Sequence, residues 1–337
     1  MPRRAHAALA RALRGFSHAA AAGHRYERGG RRLEPDIEVI LALLDRFGWP
    51  DFADLEPRNA RREIEREARA FAPRIDRTVS SEGLAVPAPA GALSARLYVP
   101  AGAPRPGQLL LYLHGGGWVF GSPATHDGVC RFLARHARAR VLSAPYRLAP
   151  EHPFPAAVED ARAALEWTLA NAQRLGADSV GVGGDSAGGN LATVAASAGG
   201  ERLAFQLLIY PVTDLSREHA SYRTFADGPL LTAKQMRWFR SHYLGREEDA
   251  LDPHASPLLA DDLAGMPPTY LALAGFDPLY DEGLAYGLRL REAGVETTVA
   301  THPGQAHAFA ELTAASPSAR AAMAQACRWV ASRPRRR

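Results

Sequence analysis

Apolar and polar positions follow two different rhythms along this chain, and the change of rhythm divides it. After Leu33-Glu-Pro-Asp36, residues Ile40, Leu41, Leu43, Leu44 and Phe47 recur at helical spacing. A second, heavily charged helical pattern runs from Asn59 to Phe71, with Ile64 and Ala68 on its apolar side. From Thr78 the pattern shortens into strand-like runs: Thr78–Val86, Leu93–Tyr98, Leu109–Leu113 and Arg140–Ala144. A helix follows from Pro155, a residue suited to a first helical turn, to about Leu175. A strand then ends near Val182, a helix of small residues begins at about Ala187, and Ala204–Ile209 reads as another strand. Past a helical insert around Thr232–Tyr243, strand Thr269–Ala274, helix Asp281–Ala293 and strand Thr297–Thr301 alternate. A last helix starts at Ser316-Pro317, with Met323, Cys327 and Val330 facing inward. Early strands followed by βαβ alternation predict an α/β fold: a mostly parallel sheet with helices on both faces. The chain divides into an extension over 1–32, two accessory helices over 33–77, and an α/β body over 78–337 interrupted at about 212–250.

Composition narrows the function classes. The sequence pI of about 9.3 suggests a nucleic-acid partner, but the charge is misplaced for one. Residues 1–32 hold eight arginines against Glu27, and Arg333, Arg335, Arg336 and Arg337 form a second basic tail. Removing both tails from the formal +4 leaves the body near −7, so no basic face and no nucleic-acid partner is expected. No apolar run approaches the ~18 residues of a membrane span. The basic N-terminal stretch lacks the apolar region of a signal peptide. Cys130 and Cys327 lie far apart without a Cys-x-x-Cys, which predicts buried free thiols in the cytoplasm and no metal site or disulfide framework. The expected assembly is a monomer or a homodimer.

The chemistry gathers at Gly181-Val-Gly-Gly-Asp-Ser-Ala-Gly-Gly-Asn190. Gly184, Ser186 and Gly188 have the spacing of a nucleophile elbow, in which a sharp strand-to-helix turn lifts a serine hydroxyl clear of the backbone. A dinucleotide loop would need a third glycine where Ser186 stands, and a phosphate loop would need a lysine that is absent there. A serine nucleophile requires a base, an orienting acid and an oxyanion hole. His114-Gly-Gly-Gly-Trp118 follows a strand, so the N–H groups of Gly115, Gly116 and Gly117, with that of Ala187, are candidate oxyanion donors. His114 itself reads as structural. Asp277, at a strand end before Pro278, is preferred as the acid over Asp281, which stands where the next helix needs a cap. His307, in the loop past the last strand, is preferred as the base over His302. Trp118, Tyr210 and Phe309 flank these motifs as candidate pocket walls. No carboxylate or thiol stands near the two histidines at a metal-binding spacing, and no cofactor is expected.

Five stretches together give the chain a family likeness: His114-Gly-Gly-Gly-Trp118, Tyr146-Arg-Leu-Ala-Pro-Glu-His-Pro-Phe-Pro-Ala-Ala157, Gly184-Asp-Ser-Ala-Gly-Gly-Asn190, Asp277-Pro-Leu-Tyr-Asp281 and His307-Ala-Phe309. From about Leu33 to the last helix, the chain resembles the bacterial hormone-sensitive-lipase-like esterases of the α/β-hydrolase superfamily. The resemblance implies a cap built from the N-terminal helices and the 212–250 insert. It implies Ser186 as nucleophile, His307 as base and Asp277 as its orienter, acting through an acyl-enzyme on short-chain carboxylic esters without a cofactor. An amide, lactone or carbamate donor would use the same triad; ligand-binding members of the fold typically lose the histidine, which is present here. The sequence departs from the family pattern at Trp118, where Phe is common, at Ala308, where Gly is usual, and at Tyr280, where Arg is frequent.

Overall fold

The computed structural model describes residues 26–48, 50–71 and 75–334. An eight-stranded sheet forms its centre, in the order β10-β9-β8-β7-β5-β6-β4-β3. The strands are β3 (Val79–Ala88), β4 (Gly91–Pro100), β5 (Gly107–Leu113), β6 (Arg140–Ala144), β7 (Ala177–Asp185), β8 (Phe205–Ile209), β9 (Thr269–Phe276) and β10 (Thr297–Ala306). β4 runs antiparallel to both β3 and β6; the remaining pairings are parallel. Every residue of β5, β6, β8 and β9 is buried. Helices cover both faces of these strands, which is why they read as nearly continuous apolar runs.

Two cores result. On one face, α4 (Ala156–Asn171), α5 (Ala187–Gly199) and α8 (Tyr280–Glu292) pack with Leu111, Val182, Leu208 and Leu271. On the other, α3 (Asp127–Ala137) and α9 (Pro317–Ala331) bury Leu133, Met323 and Cys327 against Tyr112, Leu207 and Tyr270. The inward face expected of the last helix is thus the one it uses. Helix α3 has no counterpart in the sequence reading: its apolar side rests on Val129, Cys130, Leu133, Ala134 and Ala137, a weak stripe among charges.

A third, smaller core ties α1 (Pro35–Phe47) to the carboxyl ends of β9 and β10 through Leu33, Ile37, Ile40, Phe225, Phe276 and Ala306. Asp36 accepts from the Ser316 hydroxyl at 2.6 Å and from Ser318 N–H at 2.9 Å, fastening α1 to the start of α9. Helix α2 (Pro57–Phe71) is anchored by Arg61, which donates to the carbonyls of Val119 and Ala149 at 2.7 Å each. The insert contributes α6 (Ala220–Thr224) and α7 (Ala233–Tyr243), the latter opened by a capping box between Thr232 and Gln235.

The boundary expected at residue 33 falls too late. Strands β1 (Glu27–Arg28) and β2 (Arg31–Arg32) form a hairpin. Arg31 donates to the Gly275 carbonyl and lies 3.8 Å over the Tyr280 ring, while Tyr26 packs on Phe276. Polar turn residues with no apolar rhythm give no sign of such an anchor. The remainder of the 1–32 extension and the last three arginines lie outside the described residues.

Candidate active site

β7 and α5 meet at Ser186, whose backbone sits at φ 54° and ψ −122°. A non-glycine residue there is strained by ~1–3 kcal/mol and persists only when its surroundings fix it. They do so here: Ser186 N–H donates to the Ile209 carbonyl at 2.9 Å, and the Ser186 carbonyl accepts from Asn190 and Val212. The flanking glycines are forced by close approach. A Cβ on Gly184 would stand 2.4 Å from the Gly188 backbone, and one on Gly188 would stand 2.1 Å from the Leu113 carbonyl oxygen. The hydroxyl therefore projects from a turn that only this residue pattern can make.

Asp277 follows β9 and His307 follows β10, the two strands beyond β8 on the Ser186 side of the sheet. His307 Nε2 lies 3.0 Å from Ser186 Oγ, and its Nδ1 lies 2.7 Å from Asp277 Oδ2. The second oxygen of Asp277 accepts the Leu279 N–H at 2.9 Å, which fixes the carboxylate plane. The Tyr210 ring, 4.5 Å from the imidazole, holds it from behind. The two rival residues stand elsewhere. His302 is on β10 with its ring against Phe309, 5.5 Å away, and burial pushes its imidazole downward from the usual range. Asp281 accepts the Ser221 N–H at 2.7 Å, so it binds α6 of the insert to the acid turn. The expectation that Asp281 caps the next helix is wrong: α8 begins at Tyr280, with Leu279 at the cap position.

The glycine loop holds one correction. Gly115 N–H donates to Asp185 Oδ1 at 3.0 Å, and the Gly115 carbonyl lies 2.7 Å from His114 Nδ1. That N–H is therefore taken and drops out of the set of oxyanion donors. The N–H groups of Gly116 and Gly117 donate to nothing among the described residues. Ala187 opens a helix whose N-terminal N–H groups have no side-chain cap. Of the four expected donors, the N–H groups of Gly116, Gly117 and Ala187 have no hydrogen-bond acceptor among the described residues. Glycine is required at both loop positions: φ is +114° and +56°, and a Cβ would meet the Phe120 carbonyl oxygen at 2.3 Å or the Phe239 ring at 2.0 Å. His114 is stacked on Tyr146 at 4.3 Å, and the Tyr146 hydroxyl donates to the His114 carbonyl. Burial, then the neighbouring His126, push the His114 imidazole down to about 3, so it is neutral and structural.

The candidate pocket residues also need correcting. Trp118, Tyr210 and Phe309 have 0%, 1% and 0% of their surface exposed, so none lines an open cavity. Trp118 turns into the core and stacks on Tyr243 at 4.0 Å, while Tyr210 and Phe309 pack together behind His307. The aromatic group that meets the glycine loop is different. Phe52, Phe120, Trp238 and Phe239 cluster with ring centroids 5.0–5.6 Å apart, and Phe239 covers Gly117. They come from the segment before α2, the loop itself and α7, three places that only the fold brings together.

A second buried acid–imidazole pair begins at Asp185, the residue before Ser186. Asp185 Oδ2 is 3.4 Å from His126 Nε2, and Asp185 Oδ1 accepts the Tyr112 hydroxyl at 2.6 Å. Glu311 Oε1 lies 3.8 Å from the same His126 nitrogen. Ligand-type atoms of His126, Asp185 and Glu311 all fall within 4.8 Å of one another, a grouping of distant residues that no local spacing in the sequence announces.

Comparison with known proteins places this arrangement. A family model described as alpha/beta hydrolase fold matches residues 110–311. The chain is 41% identical over 295 residues to the carboxylic ester hydrolase LipN of Mycobacterium tuberculosis, covering 84% of this chain and 78% of that one. It is 39% identical over 292 residues to an ethyl acetate hydrolase of Pseudomonas putida, covering 82% and 92%. Among solved structures, an ester hydrolase from the metagenome of Lake Arreo superposes with a TM-score of 0.81 at 40% identity, covering 89% of this chain and 98% of its own. The esterase of Pyrobaculum calidifontis matches with a TM-score of 0.81 at 37% identity and the same coverage.

Proposed function

The chain belongs to the α/β-hydrolase fold family, and we propose that it is a carboxylesterase in which Ser186 is the nucleophile, His307 the general base and Asp277 the residue that orients it. The observation that carries this reading is the hydrogen-bonded line from Asp277 Oδ2 through His307 to Ser186 Oγ. Neutral His307 accepts the serine proton at Nε2 as Oγ attacks the ester carbonyl. The N–H groups of Gly116, Gly117 and Ala187 receive the oxyanion; each such donor contributes ~3 kcal/mol to transition-state stabilisation. Protonated His307, its Nδ1–H held by Asp277, then gives its proton to the leaving alcohol, and an acyl-enzyme ester remains on Ser186. Water, deprotonated by His307, attacks that ester; His307 returns the proton to Ser186 Oγ as the acid leaves. Every proton thus passes through His307, between Ser186, substrate and water.

Helices α1 and α2 and the 212–250 insert form the cap in this reading. Phe52, Phe120 and Phe239 wall the acyl side next to Gly117, which limits its depth. The ethyl acetate hydrolase relative supports the same preference for short acyl groups. Two buried free thiols, Cys130 and Cys327, support a reducing cytoplasmic setting. Among the described residues, no helix is long and apolar enough to cross a membrane.

A p-nitrophenyl ester series of rising acyl length, assayed beside Ser186→Ala, tests the proposal. Turnover highest between acetyl and hexanoyl, and absent in the variant, is the expected result. A rate that persists in folded Ser186→Ala overturns the nucleophile assignment, and a rate that keeps rising to long acyl chains overturns the closed pocket.

A further inference from the structure

The residue before the nucleophile raises a question that the triad leaves unanswered. Asp185 is fully buried, and among the described residues no arginine or lysine pairs with it. An uncompensated carboxylate there is costly. It would also stand one residue from the site where negative charge develops during ester hydrolysis. Two imidazoles face it, His126 and His114; burial keeps His114 neutral, which leaves His126 to carry the positive charge.

The contacts of His126 fit its protonated form. The Thr125 hydroxyl lies 2.9 Å from both His126 Nδ1 and the Ser122 carbonyl, so Oγ1 accepts from an Nδ1–H while giving its own proton to the carbonyl. Nε2 in turn faces the oxygens of Asp185 and Glu311 at 3.4 and 3.8 Å. A bare lone pair directed at these oxygens would be repelled, whereas an N–H is attracted. The Gly115 N–H, 3.3 Å from Nε2 and 3.0 Å from Asp185 Oδ1, then has the carboxylate as its acceptor. Packing closes the arrangement, because a Cβ on Gly115 would fall 2.3 Å from Asp185 Oδ2.

We infer that His126, as an imidazolium, is a positioning residue for the oxyanion loop: it holds Asp185, which holds the Gly115 N–H and so aims the N–H groups of Gly116 and Gly117 at the substrate oxygen. The inference rests on the reading of Ser186 and those two glycines given above. It assigns work to a residue that touches neither substrate nor the triad.

Electrostatics agree with the geometry. Burial alone would push the His126 imidazole down; the charge and hydrogen bond of Asp185, aided by Glu311, outweigh it and raise it to about 9. The other titratable groups facing the cluster are already accounted for. His114 is neutral, and the Tyr112 and Tyr210 phenols are held protonated by burial and by Asp185. Burial raises Glu311 above the ordinary carboxyl range, and Glu67 on α2, pushed up to about 7 by burial and by Glu311, faces it from the cap side. Asp127, next to His126, is engaged by Arg131 and Arg96. The three ligand-type atoms could take a divalent cation only by losing the Nε2 proton that Asp185 retains.

The test compares His126→Gln, Asp185→Asn and the double variant with the parent, using p-nitrophenyl acetate corrected for background hydrolysis. For His126→Gln, kcat falls by roughly 10–100-fold with KM within about twofold, since the oxyanion donors act in the transition state. The parent kcat/KM declines as pH rises through about 9, and this limb is absent from His126→Gln. The double variant is no slower than Asp185→Asn, because His126 acts through Asp185; this comparison stands even if one single variant is poorly stable. Stoichiometric labelling of Ser186 by an organophosphate in His126→Gln keeps the nucleophile assignment separate: labelling with unchanged kcat overturns only this inference, and no labelling in the parent overturns the reading beneath it. A parent-like kcat and alkaline limb in His126→Gln, or stoichiometric zinc in the parent protein that the variant lacks, contradicts the inference.

Discussion

Two buried aspartate–histidine pairs, one ending at Ser186 and one starting from the residue before it, are built from the same residue types and connected differently. In one, Asp277 binds His307 through Nδ1 at 2.7 Å, and Nε2 is left facing the serine oxygen at 3.0 Å. In the other, His126 is engaged at both nitrogens, by Thr125 at Nδ1 and by Asp185 at Nε2, and no reacting atom faces it. Asp185 in turn accepts from Tyr112 and Gly115. Proton transfer needs one ring nitrogen fixed and the other free. A ring fixed at both nitrogens is a resident cation instead. Connectivity, more than the presence of an acid and an imidazole, separates the base from the counter-ion.

The comparison breaks most sharply on the side of the triad. Ser186→Ala lowers kcat by a factor on the order of 10⁶ with the fold retained, as measured by kcat and melting temperature together. Asp277→Asn lowers kcat by roughly 10⁴, because the amide selects the wrong imidazole tautomer. Asp281→Asn, which loosens the tie to Ser221, costs ~1 kcal/mol of stability and leaves kcat within about tenfold. An inactive Asp281→Asn beside an active Asp277→Asn would exchange the two roles.

On the other side, the signature is in stability. His126 has its folded pKa raised to about 9, above the ~6.5 of an unfolded imidazole. Its stabilising contribution is complete below about 6.5 and is lost as pH rises through about 9, with an upper size of roughly 3 kcal/mol. The melting temperature of the parent protein therefore falls over that window by several degrees more than that of His126→Gln. Equal slopes in both would place the His126 proton elsewhere. The smallest expected effect belongs to the pocket wall. Phe239→Ala opens space beside Gly117 and raises the octanoate-to-butyrate ratio of kcat/KM by roughly tenfold, within the ~1–3 kcal/mol available to hydrophobic discrimination.

The proposed triad residues and the strands that carry them each leave a local sign in the sequence. Gly184 and Gly188 are dictated by backbone approach, Asp277 by the strand end before a proline, and the strands by continuous apolar runs. The features that escape are those made by assembly. The side chain of Asp185 is buried by β7, and nothing local ties it to His126, 59 positions earlier, or to Glu311. Gly115 looks identical to its two neighbours until Asp185 takes its N–H. Trp118 reads as a pocket wall, yet at φ 60° it turns to stack on Tyr243 and leaves that place to Phe239 from a distant helix. The β1–β2 hairpin escapes because Arg31 is held by a carbonyl and an aromatic ring, neither of which leaves a periodic trace.

Intact-mass spectrometry after treatment with diethyl p-nitrophenyl phosphate tests the central claim most directly. The account predicts one diethyl phosphoryl adduct per chain, mapped by peptide fragmentation to Ser186. It also predicts that His307→Gln labels at least 100-fold more slowly and that Ser186→Ala does not label there at all. An adduct on another residue that accompanies loss of activity, or full esterase activity in protein already labelled at Ser186, contradicts it.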